Sequence, residues 1–234
     1  MEKLRTVMIV AGEASGDLHG AHLVREMKAI DPTLAFCGVG GQRLEAEGVR
    51  LVARSSEMGV VGLTEVFSKL RLIVGVFFRL RRMLREEKPE LLILIDYPDF
   101  NLPLASAAKR AGVKVFYYIS PQGWAWRKNR IERIRRNVDR MAVILPFETA
   151  VYAERGVEVH FVGHPLLDTV KRTHSRKEAL AAFGLRDTWP IVALLPGSRE
   201  KEVMSLLPEM LGAAGILARD FEEAQFVLPL AETV

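Results

Sequence analysis

The sequence has few cysteines, no metal-ligand spacing and no apolar run long enough to cross a bilayer. Its one cysteine, Cys37, cannot form an internal disulfide, and its apolar surroundings predict a small core residue. The five histidines are not spaced as metal ligands. The apolar run at Val7–Ala11 is too short for the core of a signal peptide. These absences favour a cytoplasmic protein, either soluble or bound to a membrane surface.

The usual nucleotide-binding and nucleophile motifs are absent as well. Gly38–Gly41 lacks the dinucleotide fingerprint, because Arg43 stands where its third glycine belongs. Gly12–Asp17 has neither that spacing nor the spacing of a Walker loop. No serine lies on a nucleophile elbow. The sequence therefore offers no standard signature of a kinase, a dehydrogenase or a serine hydrolase.

The composition is that of an ordinary globular protein with a basic balance. Hydrophobic residues make up 49% and charged residues 26% of the 234 positions. The net charge is +4 and the sequence pI is about 9.3. Such a balance favours anionic partners, which include phosphates, nucleic acid and acidic lipid headgroups.

Short apolar runs alternate with longer amphipathic segments along most of the chain. This alternation predicts an α/β fold, a doubly wound parallel sheet with helices on both faces. The predicted strands of the first part are Val7–Val10, Ala35–Val39, Leu91–Ile95, Val113–Ile119, Met141–Leu145 and Val159–Val162. The predicted helices between them are Gly16–Ile30, Gly41–Gly48, Leu63–Lys88, Leu102–Gly112, Arg127–Val138 and Phe147–Gly156.

A polar segment divides the chain into two predicted domains. Residues 1–170 form a complete Rossmann-like domain, residues 171–186 a linker region, and residues 187–234 the start of a second Rossmann-like domain. Two strands in some sixty residues make too small a core for an independent domain. The second domain is therefore predicted to be incomplete. The predicted elements after the polar segment are helices at Lys177–Phe183 and Lys201–Leu217 and strands at Ile191–Leu195 and Gln225–Leu230.

Asp96 is the principal candidate for catalysis. It ends the apolar run Leu91–Ile95, which predicts a strand buried on both faces. Open α/β sheets bind ligands at the carboxyl ends of their strands. Pro98 cannot continue a strand, so the chain turns just after Asp96. In the alternative interpretation, Asp96 and Asp99 only cap the helix that follows.

Two loops between a strand and a helix are candidate anion sites. Glu13 and Ser15 lie in the first loop, Gly12–Asp17, where free amides at a helix start suit a ligand. The alternative there is an ordinary tight turn capped by Ser15 or Asp17. The second loop holds Gly197, Ser198 and Arg199. Its amides and the Arg199 guanidinium can bind phosphate, or else Ser198 caps a helix and Arg199 is solvated.

Two further segments carry unusual combinations of residues. Trp124 and Trp126 precede a basic helix and serve either to stack on a sugar ring or base or to pack inside the protein. Leu63–Arg85 mixes apolar and basic residues and is either a helix that lies on an anionic lipid surface or one that covers the sheet. Its candidate membrane or acyl-chain contacts are Leu63, Val66, Phe67, Leu70, Phe77 and Phe78.

Taken in order, six segments of the chain resemble those of the lipid-A-disaccharide synthase family. They are Ala11–Asp17, Asp96–Asn101, Ser120–Arg127, Leu145–Glu148, Gly163–Leu166 and Leu195–Arg199. The resemblance implies a two-domain GT-B fold and an inverting, metal-independent glycosyltransferase without a cofactor. That family joins UDP-2,3-diacylglucosamine to 2,3-diacylglucosamine 1-phosphate and releases UDP.

The resemblance also assigns roles to the candidate residues. Asp96 matches the family's proposed base, and Gly197, Ser198 and Arg199 match a motif at the donor side. Glu13 and Ser15 match the loop that lines the cleft from the opposite domain. The implied location is the cytoplasmic face of the inner membrane of a Gram-negative bacterium, with an anionic membrane surface and no nucleic acid as partner.

Family members continue beyond Val234, so the resemblance implies that the donor domain is cut off. Residues 1–234 alone are then expected to be inactive, and a homodimer would form through the missing part. Two other hypotheses stay open from the sequence. The chain is a non-catalytic remnant that binds lipid or membrane, or it belongs to another UDP-sugar transferase or epimerase of the same architecture.

Overall fold

The computed structural model describes residues 5–58, 66–121 and 128–230, without the side chains of residues 66–69 and 128–129. Contacts along the chain divide it into two units, Met1–Thr169 and Val170–Val234. Each unit has its own sheet.

Strands and helices alternate through the first unit. The strands are β1 (Arg5–Ala11), β2 (Leu34–Gly40), β3 (Arg50–Arg54), β4 (Leu91–Ile95), β5 (Lys114–Tyr118), β6 (Arg140–Val143) and β7 (His160–Phe161). The helices are α1 (Ala14–Ile30), α2 (Gln42–Ala46), α3 (Ser55–Met58), α4 (Val66–Glu86), α5 (Pro98–Arg110), α6 (Lys128–Asn137), α7 (Glu148–Ala153) and α8 (Leu166–Thr169).

The strands of the first unit form one parallel sheet in the order β3-β2-β1-β4-β5-β6-β7. The chain runs outward from β1 through β2 to β3, then returns to β4 and runs outward on the other side. This is the doubly wound topology predicted from the sequence. The strand order reverses between β1 and β4, where Ala11 pairs with Ile95.

Alternate residues of the central strands supply two hydrophobic cores, one on each face of the sheet. Met8 and Leu94 belong to the larger core, which packs against α4, α5 and α6. Ile9 and Ile95 belong to the smaller core, which includes residues of α1 and α2. Because both faces are covered, β1 and β4 are almost entirely buried. This explains why their sequences are continuous apolar runs.

The structure differs from the sequence prediction at several elements of the first unit, and the short helices α3 and α8 were not predicted. β3 was not predicted, because its sequence begins and ends on arginine and its apolar run is only three residues long. Helix α5 begins at Pro98, four residues before the predicted start. Proline is favourable in the first turn of a helix, since it has no N–H to satisfy there.

The second unit contains α9 (Arg176–Ala182), β8 (Ile191–Ala193), α10 (Glu200–Asp220) and β9 (Gln225–Val227). β8 and β9 form a parallel pair. Helix α9 begins with a capping box between Ser175 and Glu178. This helix lies within residues 171–186 and confirms the helix predicted at Lys177–Phe183.

Candidate active site

Two loops meet at the point where the strand order reverses. Ala11 ends β1 and pairs with Ile95, which ends β4, so the residues that follow both strands lie at one edge of the sheet. Asp96 follows β4 and is half-buried, while Glu13 is half-buried and Ser15 exposed after β1. Open α/β sheets have their ligand crevice at this place. The structure therefore places the segments that carry Asp96, Glu13 and Ser15 at the same edge of the sheet.

The backbone at Asp96 bends sharply. Asp96 and Tyr97 have φ values of 42° and 46°, in the left-handed region that residues other than glycine rarely adopt. Each such residue costs on the order of 1–3 kcal/mol and persists only where its surroundings hold it. Ile119, which follows the neighbouring strand β5, also has a positive φ of 64° and accepts a hydrogen bond from the Asp96 N–H at 3.4 Å.

The carbonyl oxygen of Asp96 accepts two hydrogen bonds from buried side chains. The Asn101 Nδ2 lies 2.7 Å from it and the Tyr117 hydroxyl 2.5 Å from it. Asn101 Nδ2 also donates to the carbonyl of Ile95 at 3.2 Å. Both side chains are fully buried. Neither residue was predicted as part of the site from the sequence. The one available signal was that Asn101 belongs to the segment Asp96–Asn101.

The capping interpretation of Asp96 and Asp99 is wrong. The N-cap of α5 is Tyr97, which makes no side-chain cap hydrogen bond. Asp99 lies in the first turn with an exposed side chain and pairs with Arg130 at 2.6 Å. Asp96 precedes the N-cap and is not part of the helix. The left-handed bend at Asp96 and Tyr97 therefore determines where the Asp96 backbone lies.

In the first loop, the space left by the absent side chain of Gly12 is filled by the ring of Tyr97. A Cβ on Gly12 would lie 2.3 Å from the Tyr97 ring. Burial, together with the charges of Glu13 and Asp99, raises the pKa of Tyr97. The first loop and the residues after β4 are therefore in direct contact.

Asp17 stabilises a different helix from the one predicted. The N-cap of α1 is Glu13, which makes no side-chain cap hydrogen bond. The buried Asp17 carboxylate instead accepts hydrogen bonds from the N–H groups of Gly41, Arg43 and Leu44, at 2.6 to 3.1 Å. It thereby caps the start of α2. The glycines before α2 serve this packing, since a Cβ on Gly41 would lie 2.6 Å from the Asp17 carboxylate.

Two histidines that are far apart in the sequence, His19 and His164, lie next to each other in the structure. The rings of His19, on α1, and His164, after β7, lie 6.3 Å apart in an edge-to-face arrangement. His19 is buried, and its Nδ1 has no hydrogen-bond partner among the described residues. Burial and the neighbouring His164 and His22 lower the pKa of His19. No residue spacing could have indicated this contact.

In the second unit, the predicted anion loop holds a carboxylate of the chain itself. Gly197 has a φ of 119°, and a Cβ there would lie 2.6 Å from the Glu202 carboxylate. Arg199 Nη1 lies 2.9 Å from Glu202 Oε1. The hydrogen bond from Arg199, followed by those from the Ser198 and Arg199 backbone, lowers the pKa of Glu202. Arg199, and not Ser198, is the N-cap of α10, so the capping interpretation of Ser198 is wrong.

Helix α4 has one face in the core and one face exposed. Val76, Leu80 and Leu84 are buried, and Phe77 packs edge-to-face on Phe100 at 5.8 Å. The exposed apolar side chains of this helix are Leu70, Leu72, Val74 and Phe78. A groove of about 490 Å³ beside α4 is lined by Val52, Ala53, Glu57, Arg71, Leu72, Gly75, Val76 and Arg79.

The candidate membrane residues thus separate into different environments. Leu70 and Phe78 are exposed, whereas Phe77 belongs to the interior face. Leu63 and the side chains of Val66 and Phe67 lie outside the described residues, as do Trp124 and Trp126. Within the described ranges, none of the helices combines the length and apolar character needed to cross a membrane. In the same ranges, no cluster of three or more His, Cys, Asp or Glu side chains could hold a metal ion.

The fold is similar to that of a sugar-nucleotide epimerase and of a glycotransferase. The UDP-GlcNAc 2-epimerase of Neisseria meningitidis, solved with UDP-GlcNAc, matches 97% of this chain and 66% of its own at a TM-score of 0.62 and 13% identity. The glycotransferase of kitacinnamycin matches all of this chain and 67% of its own at a TM-score of 0.61 and 15% identity. At these identities the likeness shows the fold, a GT-B architecture.

Sequence comparison is more specific. The lipid-A-disaccharide synthase of Syntrophus aciditrophicus is 59% identical over 230 residues, and that of Geobacter metallireducens 54% identical over 230 residues. These matches cover 98% of this chain, which spans about 60% of the length of either relative. The family model for lipid-A-disaccharide synthetase matches residues 7–234. The chain therefore belongs to the lipid-A-disaccharide synthetase family.

Proposed function

We propose that this chain is the larger part of an inverting, metal-independent glycosyltransferase of lipid A biosynthesis. The reaction joins UDP-2,3-diacylglucosamine to 2,3-diacylglucosamine 1-phosphate, which gives the lipid A disaccharide 1-phosphate and UDP. Family membership supports this reaction. The observation that carries it is the half-buried Asp96 at the end of β4, beside the reversal of strand order.

Asp96 acts as the general base in this proposal. The primary hydroxyl of the acceptor is a weak nucleophile, so a positioned carboxylate must take its proton as the new glycosidic bond forms. Glu13 and Ser15, at the same edge of the sheet, line the crevice next to it. The first unit thus binds the acceptor.

The second unit binds the UDP-sugar donor. Its diphosphate leaves with growing negative charge, which N–H donors and a cation stabilise. The turn at Gly197, Ser198 and Arg199 presents such groups, and its contacts with the Glu202 carboxylate support a role in binding an anion. Phosphate oxygens take the place of that carboxylate in this proposal.

In this proposal the first unit contacts a membrane through the exposed apolar side chains of α4. Its exposed apolar side chains stand beside arginines of the same helix, the combination that binds anionic lipid surfaces. The groove beside α4, with Arg71 and Arg79 in its lining, is large enough for part of an acyl chain. The proposed location is the cytoplasmic face of the inner membrane, and a homodimer would use residues of the longer relatives that this chain does not contain.

The test is Asp96→Asn in a chain completed to the relatives' length with the C-terminal part of the Syntrophus aciditrophicus protein. Asparagine keeps the shape but accepts no proton, so UDP release should fall about 10²- to 10⁴-fold. Asp99→Asn is the matched control, because Asp99 is exposed three residues further on. It should keep most of the activity.

The same assay separates the other hypotheses. The completed wild-type chain should release UDP only when both acylated sugars are present, and residues 1–234 alone should release none. UDP release without the acceptor, or epimerised sugar as product, would indicate a different UDP-sugar enzyme. Binding of vesicles without any turnover of the completed chain would indicate a non-catalytic protein. Full activity of folded Asp96→Asn would remove Asp96 from its role.

A further inference from the structure

The main chain at Asp96 is held by side chains from two other elements. Asn101 is on the first turn of α5, and Tyr117 is on β5, the strand next to β4. Both donate to the carbonyl oxygen of Asp96, at 2.7 and 2.5 Å. This carbonyl is thus tied both to the helix that follows it and to the neighbouring strand.

These bonds replace the ones that the strand can no longer make. The left-handed conformations of Asp96 and Tyr97 take the chain out of the β ladder directly after Ile95. The carbonyl groups there lie among buried side chains, where an unpaired oxygen is unfavourable. Asn101 satisfies the carbonyls of Ile95 and Asp96 with one amide nitrogen. The bend is therefore compatible with a buried environment only while these donors are present.

An asparagine at position 101 leaves one buried oxygen atom without a partner among the described residues, and its amide nitrogen makes the compensating hydrogen bonds. Asn101 is fully buried, and its Oδ1 finds no partner among the described residues. A leucine of similar size would avoid that unpaired oxygen but would donate to neither carbonyl. Asparagine suits a position where its donors, and not its packing, are the needed property.

We propose that Asn101 and Tyr117 are positioning residues for Asp96: they hold its main chain in the left-handed bend that fixes where the carboxylate lies, and the rate of transfer depends on both. This inference rests on the proposed role of Asp96. A displacement of a catalytic group by about 1 Å can cost about 10²-fold in rate. A change in either donor should therefore act on the chemical step and leave substrate binding largely unaltered.

Tyr117 is suited to this role over a wide pH range. Burial, followed by the nearby charge of Asp96, raises the pKa of Tyr117 well above its usual value. The hydroxyl therefore keeps its proton and remains a donor wherever the protein is folded. Loss of the hydroxyl should lower the rate at every pH rather than move the pH profile by a titration of Tyr117 itself.

The experiment uses Tyr117→Phe, which removes one oxygen atom, and Asn101→Leu, in the completed chain. We expect kcat to fall about 10- to 100-fold for Tyr117→Phe, with the KM values for both substrates little changed. In an Asp96→Asn background, the same substitution should cause no further loss, because residues that act as a unit are not additive. Tyr152→Phe is the matched control, since it removes another buried tyrosine hydroxyl, one bonded to Ser120 at 2.6 Å.

Each outcome decides between a positioning role and a structural one. If Tyr117→Phe keeps full kcat while Asp96→Asn is inactive, the positioning role is wrong and the proposed function stands. If Asp96→Asn is itself active, the proposed function fails first. An equal loss of kcat in Tyr152→Phe, or a loss from Tyr117→Phe that persists undiminished in the Asp96→Asn background, would show a general structural effect and overturn the inference. Asn101→Leu is interpreted only if its thermal unfolding stays cooperative, and Tyr117→Phe carries the test if it does not.

Discussion

The ring of Tyr97 lies directly on the backbone of Gly12. A Cβ at position 12 would come within 2.3 Å of the ring Cδ1 and 2.5 Å of its Cγ. The same ring also stacks on Phe100, with centroids 5.8 Å apart. Because Phe100 packs on the Tyr97 ring, the ring cannot easily move away from Gly12. Tyr97 therefore connects the loop after β1 to the segment after β4.

Gly12→Ala should destabilise the chain by about 1–3 kcal/mol, the usual cost of overpacking a filled site. Chemical denaturation of the chain measures the difference. Gly75→Ala is the matched control, because nothing lies within 4 Å of a Cβ there and the residue is inside α4. That change should instead raise stability, by about 0.5–1 kcal/mol, since alanine favours helix. If both substitutions changed the free energy of unfolding equally, the close contact between Gly12 and the Tyr97 ring would be wrong.

Arg199→Ala should impair use of the UDP-sugar more than use of the acceptor in the completed chain. A cation facing a diphosphate acts on donor binding and on the leaving group together. Glu202→Gln gives the converse test, because it removes the charge that now pairs with Arg199. It should lower the KM for the donor, as phosphate no longer competes with a carboxylate. A change confined to the acceptor KM in either variant would exclude the phosphate role of this loop.

Adjacent phenylalanines of α4 should respond to substitution in opposite ways. Phe78 is 56% exposed, whereas Phe77 packs on Phe100. Phe78→Ser should weaken binding to vesicles of equal parts phosphatidylcholine and phosphatidylglycerol about tenfold or more, given about 1.5–3 kcal/mol for burying the ring. Phe77→Ser should instead lower the unfolding free energy by about 3 kcal/mol. Unchanged sedimentation of Phe78→Ser with vesicles would mean that α4 does not contact the membrane through this side chain.

Stability should fall as the pH drops through the range just below 6.5, in part because of His19. Its pKa is lowered in the folded chain by burial and by His164 and His22, so the unfolded chain binds the proton more readily. Its contribution is complete above the unfolded pKa of about 6.5 and is lost as the pH falls towards the folded value. Urea denaturation from pH 7.5 to 5.5 should show a smaller decline for His19→Gln than for the wild type. The exposed His174 supplies the control, and His174→Gln should behave as the wild type does.

Much of the first unit could be predicted because its elements carry strong local patterns. Leu91–Ile95 is a strand with the predicted bounds, since burial on both faces leaves a continuous apolar run. Strand β3 was missed, because a strand with arginine at both ends has no such pattern. The start of α5 was placed too late, since Pro98 was interpreted only as a strand breaker and not as the first residue of a helix.

The candidate site was predictable in its strand-end residues and not in what supports them. Asp96 directly follows an apolar strand and Glu13 lies two residues after another, and these positions are visible in the sequence. Tyr117 approaches the Asp96 carbonyl from another strand, and His164 reaches His19 across a large separation in sequence. Contacts of this kind depend on strand order and register. A single sequence does not specify them. Glu202 was likewise overlooked, because its carboxylate lies against the backbone turn at Gly197.

The two sheets differ in how readily a foreign strand can join them. At the borders of the seven-stranded sheet lie β3, which has arginine at both ends, and β7, which is two residues long, so both borders are poor templates. In the second unit, β8 and β9 pair only with each other among the described residues, and each keeps one side without a strand neighbour. Self-association on heating should accordingly begin at residues 191–193 and 225–227, while the larger sheet is still intact.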